Sequence, residues 1–173
     1  NSPRNIYHFF HLPIFNFIIA PFLIIIFVYD LKHYIIPDKV VYPAIGTALL
    51  YQSFMIWNFG NWDLFRILNL GFGVLPSLLF LGIIVFSRGK WMGMGDFKLA
   101  ILMGLILGFP NIFVALFLAF FIGAIIGLGL IVFGKKTLKS EVPFGPFLVS
   151  GTFIAIFVGE MIINWYLSLW SLN

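Results

Sequence analysis

The chain has 173 residues, 62% hydrophobic and 9% charged, with a net charge of +4 and a mean hydropathy of +1.09. That balance excludes a soluble globular domain, and the positive sign fits basic loops on one side of a membrane better than nucleic-acid binding. With no Cys there is no disulfide framework, thiol nucleophile or Cys-ligated metal.

The opening NSPRNIYHFFHLP has no basic region followed by an apolar core, so it does not read as a signal peptide. Asn1 in place of Met leaves room for an upstream portion. A membrane span needs about 20 mainly apolar residues. On that measure the sequence predicts spans at 14–31, 40–57, 64–87, 92–109, 112–133 and 146–167. The breaks between them are marked by Pro37, Asn58–Asn61, Arg88–Gly95, Pro110-Asn111 and Gly134–Pro146. The expected fold is an all-α polytopic membrane protein, a six-transmembrane-helix bundle forming a single domain over 1–173.

Basic residues set the orientation. Lys32, Lys39, Arg88, Lys90, Lys98, Lys135, Lys136 and Lys139 fall on one side, with only Arg4 and Arg66 opposite. By the positive-inside rule both termini are outside (N-out/C-out) and the loop after the first span is cytoplasmic. The fourth span is the weakest. From Phe97 to Phe109 it has 13 residues, about 20 Å of helix against a hydrocarbon core of about 30 Å. The crossing is retained, with a start near Met92, because without it the Lys135–Lys139 cluster would move outside. Gly104/Gly108 and Gly123/Gly127 are small-xxx-small pairs suited to close helix packing. Pro21 and Pro76 should kink their spans.

In this apolar background GKWMGMGDFK (89–98) places Asp96 directly after Gly93-Met94-Gly95, and YDLKHYIIPD places Asp30 at the end of the first span. Both acids fall at the cytoplasmic edge. An acid there is costly unless it has a task. Taken singly, Asp96 could cap the fourth helix and Asp30 could simply be solvated; together, on one side and with a glycine-flanked approach, they point to function. Two carboxylates within reach of each other do not both ionise easily, so one keeps a proton while the other acts as base on a water. Competing machinery is scarce: there is no HExxH, and His8, His11 and His33 are scattered. The macrodipoles favour Asp30, at a helix C-terminus, as the protonated partner and Asp96, in a first helical turn, as the ionised one.

Other polar residues have plainer readings. Asp38 after Pro37 reads as an N-cap, Lys32 and Lys98 as snorkelling to the interface, Asp63 as a solvated outer-loop acid and Glu160 as interfacial. Trp165, Tyr166 and Trp170 form an aromatic belt. Pro143-Phe144-Gly145-Pro146 is either a plain helix start or a rim whose free backbone groups hold an extended substrate strand.

GMGDFKL (Gly93–Leu99), the upstream YDLKHYIIPD (Tyr29–Asp38) and the downstream VPFGPFL (Val142–Leu148) together resemble the type IV prepilin leader peptidases, within the Gly-x-Gly-Asp intramembrane aspartyl proteases. The resemblance covers most of the chain. It implies Asp30 and Asp96 as the catalytic pair and no cofactor or metal. It also implies prepilin or pseudopilin-like membrane proteins as substrates, cleaved at the cytoplasmic face of the plasma (inner) membrane. Gly93, Gly95, Pro143, Phe144, Gly145 and Pro146 are the candidate substrate contacts, and the partners are the substrate and the lipid bilayer, with no nucleic acid. Many bacterial members also carry a CxxC-containing segment that this chain lacks, so the expectation is cleavage without methylation. The chain is then either the catalytic portion of a longer protein or a compact peptidase. Two readings from other classes stay open: a proton-coupled transporter or channel with paired carboxylates, and a non-catalytic membrane assembly subunit.

Overall fold

The computed structural model describes residues 3–58, 64–133 and 142–170, with side chains within 14–56, 68–133 and 142–169. All secondary structure among them is helical: α1 (Pro3–His33), α2 (Asp38–Asn58), α3 (Leu64–Val74), α4 (Ser77–Ser87), α5 (Met94–Leu107), α6 (Asn111–Val132) and α7 (Gly145–Trp170). Among the described residues, four segments are long and apolar enough to cross a membrane: Ile14–His33, Leu68–Ser87, Asn111–Val132 and Gly145–Leu169. The chain is a multi-pass membrane protein. Asn61, Asp63, Lys135, Lys136 and Lys139 and the side chains of Arg4, Arg66 and Trp170 lie outside what the structure describes.

The predicted third span is two helices. Pro76 has no N–H to donate and its ring crowds the preceding turn. The helix therefore stops at Val74 and resumes at Ser77, whose hydroxyl donates to the Val74 carbonyl at 2.7 Å. Pro21, by contrast, lies within a continuous α1.

α5 has 14 residues, about 21 Å of helix, shorter than the roughly 30 Å hydrocarbon core. Its surroundings make that length tolerable. It packs against α2, α3, α4, α6 and α7, and Leu99, Ala100, Leu102, Met103, Gly104 and Leu105 are buried. A helix apolar on all sides belongs in such a position. Gln52 of α2 donates to the Leu105 carbonyl at 2.8 Å. At the far end Asn69 grips the backbone of Phe109, accepting from its N–H at 3.0 Å and donating to its carbonyl at 2.9 Å.

The outer helices face the other way. Phe113, Phe117 and Phe121 lie one turn apart along α6, and all are exposed. Such a stripe suits lipid and would be a liability in water.

Glycines set the closest approaches. A Cβ on Gly73 would come within 2.8 Å of the Gly104 carbonyl oxygen, and one on Gly104 would meet the Gly73 carbonyl. α3 and α5 therefore touch backbone to backbone. Of the second predicted pair, Gly123 abuts the Phe147 ring, while Gly127 faces open space and so brings no helix closer. Gly104→Ala should accordingly lower stability by about 1–3 kcal/mol through overpacking, whereas Gly127→Ala should stay within about 0.5 kcal/mol. Thermal unfolding in detergent measures both.

Candidate active site

Asp30 continues the buried stripe of α1. Phe15, Ile19, Leu23 and Ile26, spaced three or four apart, are all buried, and Asp30 is the next member of the series at 4% exposure. The helix thus delivers a carboxylate to a core-facing position. α1 ends at His33 and is followed by Tyr34, whose backbone is left-handed (φ 58°) and whose N–H donates to the Asp30 carbonyl at 2.8 Å. Ile35, Ile36 and Pro37 connect to α2.

Asp96 arrives by a different route. α4 closes with Arg88 and Gly89 at positive φ, and the Gly89 N–H donates to the Ile84 carbonyl at 2.8 Å. The chain turns, and α5 begins after an extended Gly93 at its N-cap position. Asp96 is the third residue of that helix, and its carboxylate accepts from the Gly93 N–H. This is the backward half of a capping box. Asp96 is therefore not the cap itself, as its plainer reading had it, although it does serve the helix start.

Ile36, buried in the α1–α2 loop, lies against a neighbour of each acid. A Cβ on Gly95 would lie 2.8 Å from Ile36 Cβ and 3.3 Å from its Cδ1, and a Cβ on Gly145 would lie 3.3 Å from that same Cδ1. Gly95 and Gly145, neighbours of Asp96 and Asp30 respectively, thus meet across one methyl group. Asp30 lies within electrostatic range of Asp96. Gly145, the first residue of α7, donates its N–H to the Asp30 carboxylate, and a Cβ there would collide with the Asp30 oxygen.

Each acid therefore faces the N-terminus of a helix, Asp96 that of α5 and Asp30 that of α7. The expectation that Asp30 is the protonated partner set the C-terminal end of α1 at Asp30 against the N-terminal end of α5 at Asp96. The positive end of α7 offsets the negative end of α1, and the ranking loses its basis.

The four-residue segment divides its labour. Pro143 and Pro146 line a cavity of about 350 Å³ with Phe27, Leu31, Tyr34 and Ile126 among its other walls. Phe144 turns inward, its ring 5.0 Å from that of Phe120 and 6.4 Å from that of Phe80. Gly145 is occupied with Asp30. Gly93 is exposed, and Gly95 is pressed against Ile36.

Asp38, read as an N-cap, is instead the first residue of α2, since the Pro37 carbonyl before it accepts the Val41 N–H at 3.1 Å, and its side chain binds Lys98 Nζ at 2.6 Å. Lys98 lies 4.9 Å above the Tyr42 ring, so it is held by α2 rather than snorkelling freely. Glu160 is exposed, 15 residues along α7 from Gly145, a distance of about 22 Å. Sequence reasoning missed Ile36 and the Asp38–Lys98 pair. The one available signal for Ile36 was an apolar pair, Ile35-Ile36, directly before the proline of a short connection.

Residues 17–128, which contain both aspartates, match the type IV leader peptidase family. The chain belongs to that family. It is 33% identical over 142 residues to a prepilin leader peptidase/N-methyltransferase of Legionella pneumophila, covering 82% of this chain and 48% of that protein. It is 27% identical to the protein of the same name from Bacillus subtilis strain 168, covering 85% and 56%. The chain thus spans about half the length of these relatives. Leader peptidase HopD of Escherichia coli is 28% identical, with 76% of this chain and 84% of HopD covered. No solved structure matches the chain.

Proposed function

We propose that this chain is an aspartic-type endopeptidase that removes the leader from prepilin or pseudopilin-like membrane proteins at the cytoplasmic face of the plasma membrane, with 1–173 acting as one catalytic unit of six crossings, N-out and C-out. The observation that carries the proposal is the convergence of Asp30 and Asp96, from separate helices, around Ile36, each served by a backbone N–H. Family membership supports the substrate class.

The chemistry follows from two carboxylates sharing one proton. The ionised partner takes a proton from water as it attacks the scissile carbonyl, and the protonated partner donates to the carbonyl oxygen. A tetrahedral diol results. In its collapse the now ionised partner takes a proton from one diol hydroxyl as the C=O re-forms. The C–N bond breaks, and the departing amine takes the proton of the other partner, which restores the singly protonated pair. The largely apolar cavity walled by Leu31, the chain neighbour of Asp30, and by Pro143 and Pro146, which flank Phe144-Gly145, suits the hydrophobic segment of a membrane-anchored substrate. No observation favours a proton relay through the membrane, because Asp30, Asp38 and Asp96 all stand within a turn of a helix end.

Asp30→Asn and Asp96→Asn should each lower cleavage of a prepilin-like peptide in lipid by about 10²–10⁴-fold or more, with the protein still folded and inserted. Asp63→Asn and Glu160→Gln should keep substantial activity. Two active aspartate variants would remove the reading.

Gly145→Ala should lower turnover as well as affinity, because the new Cβ would displace the Asp30 carboxylate. Steady-state kinetics checks this. A loss confined to KM would return Gly145 to a role in substrate contact alone.

For the orientation, Lys90→Cys and Ser140→Cys should react with an impermeant maleimide from the cytoplasmic side and Asn61→Cys from the outside. Lys90 and Ser140 on opposite sides would mean that α5 does not cross.

A further inference from the structure

α1 and α5 carry the two carboxylates but pack on each other little; each packs instead against α2 and α7. The α7 link is the Gly145 N–H on Asp30. The α2 link runs through three residues. Ile36 is lodged against Gly95, and Asp38 binds Lys98 at 2.6 Å. Pro37 between them has a locked φ and holds Ile36 in extended conformation, so 36–38 behaves as one stiff unit. That unit is fixed to α5 at two points, one residue before Asp96 and two residues after it.

The two attachments differ in kind. Ile36 against Gly95 is a van der Waals contact, which is non-directional and lets the loop pivot. The ion pair two residues further on removes the pivot. Lys98 is about 200° around the helix from Asp96, and its ammonium is committed to Asp38, with Tyr42 beneath it. The Asp38 side chain is 58% exposed, and a pair at such a wet edge contributes little to overall stability. Its consequence is geometric.

We propose that the Asp38–Lys98 pair is a latch that sets the separation of Asp30 and Asp96, which makes both Asp38 and Lys98 positioning residues for cleavage. The inference rests on the reading of Asp30 and Asp96 as the reacting pair.

The test uses the full chain in lipid and a prepilin-like peptide containing its hydrophobic segment, with kcat and KM measured separately alongside thermal unfolding. Asp38→Asn and Lys98→Met should each lower kcat by about five- to twentyfold, less than the roughly 10²-fold that a 1 Å misplacement can cost. KM should stay within about twofold and the unfolding temperature should be nearly unchanged, as expected for an exposed pair. The double variant should be no slower than either single, because residues in one ion pair act as a unit. Lys98→Arg, which keeps the pair, should retain more than half of the wild-type kcat. Should Lys98→Met fail to fold, Lys98→Gln carries the same test.

A wild-type kcat in Asp38→Asn, a loss confined to KM, or multiplied losses in the double variant would each overturn the latch. So would a loss in Lys98→Met without one in Asp38→Asn, which would mean that Lys98 acts on Asp96 directly. Asp30→Asn and Asp96→Asn are run in parallel. If they are inactive while the latch variants cleave normally, the latch alone fails; if they are active, the underlying reading fails.

Discussion

The geometry of the candidate site depends on one apolar side chain in a loop. Ile36 fills the space left by two glycines, Gly95 at the start of α5 and Gly145 at the start of α7. A side chain on Gly95 would collide with Ile36, and one on Gly145 would collide with the Asp30 carboxylate and crowd the same Ile36 methyl group. The contact is small in area but leaves little freedom, because Ile36 precedes Pro37 and its backbone is restricted by it. Three helix termini meet there: the end of α1 and the beginnings of α5 and α7.

That meeting also makes a buried carboxylate tolerable. Asp30 occupies the place on α1 where the pattern of Phe15, Ile19, Leu23 and Ile26 calls for another apolar residue. An acid so placed needs a donor, and a hydrogen bond to a charged group is worth about 1.5–3 kcal/mol. The Gly145 N–H is a helix-terminal group with no partner within its own helix, so α7 offers it without losing a bond. Asp96 is treated likewise by the Gly93 N–H of α5. Both acids draw on the unsatisfied ends of helices rather than on other side chains, which suits a protein with few polar residues. α5 is short for the same architecture: enclosed by other helices, it need not meet lipid along its whole length, and its first turn can open to the edge where the chemistry would occur.

Much of this was legible in the sequence, and the exceptions have physical causes. Long apolar runs identified the helical elements, and two acids at the ends of such runs stood out. The break at Pro76 was read as a kink because apolar content continues on both sides of it; what ends α3 is the missing N–H, to which hydropathy is blind. Lys98 and Asp38 are 60 residues apart, and each has a satisfactory local explanation, so nothing local joined them. Gly145 looked like an accessible rim residue, since the partner of its N–H lies on a helix more than a hundred residues earlier. Phe144 looked equally available for substrate, but its ring is taken up by Phe80 and Phe120. The dipole ranking of the two acids considered each acid's own helix and could not see the end of α7 brought up to Asp30.

The central claim is that residues 30 and 96 occupy one site, and proximity can be measured without substrate. The chain has no Cys, so Asp30→Cys with Asp96→Cys yields a protein whose only two thiols are those in question. Treated in lipid with the shortest bifunctional thiol reagents, this double variant should form an intramolecular link between residues 30 and 96, detected by peptide mass. Asp30→Cys paired with Glu160→Cys should not. Two reactive thiols at 30 and 96 that never join would contradict the account.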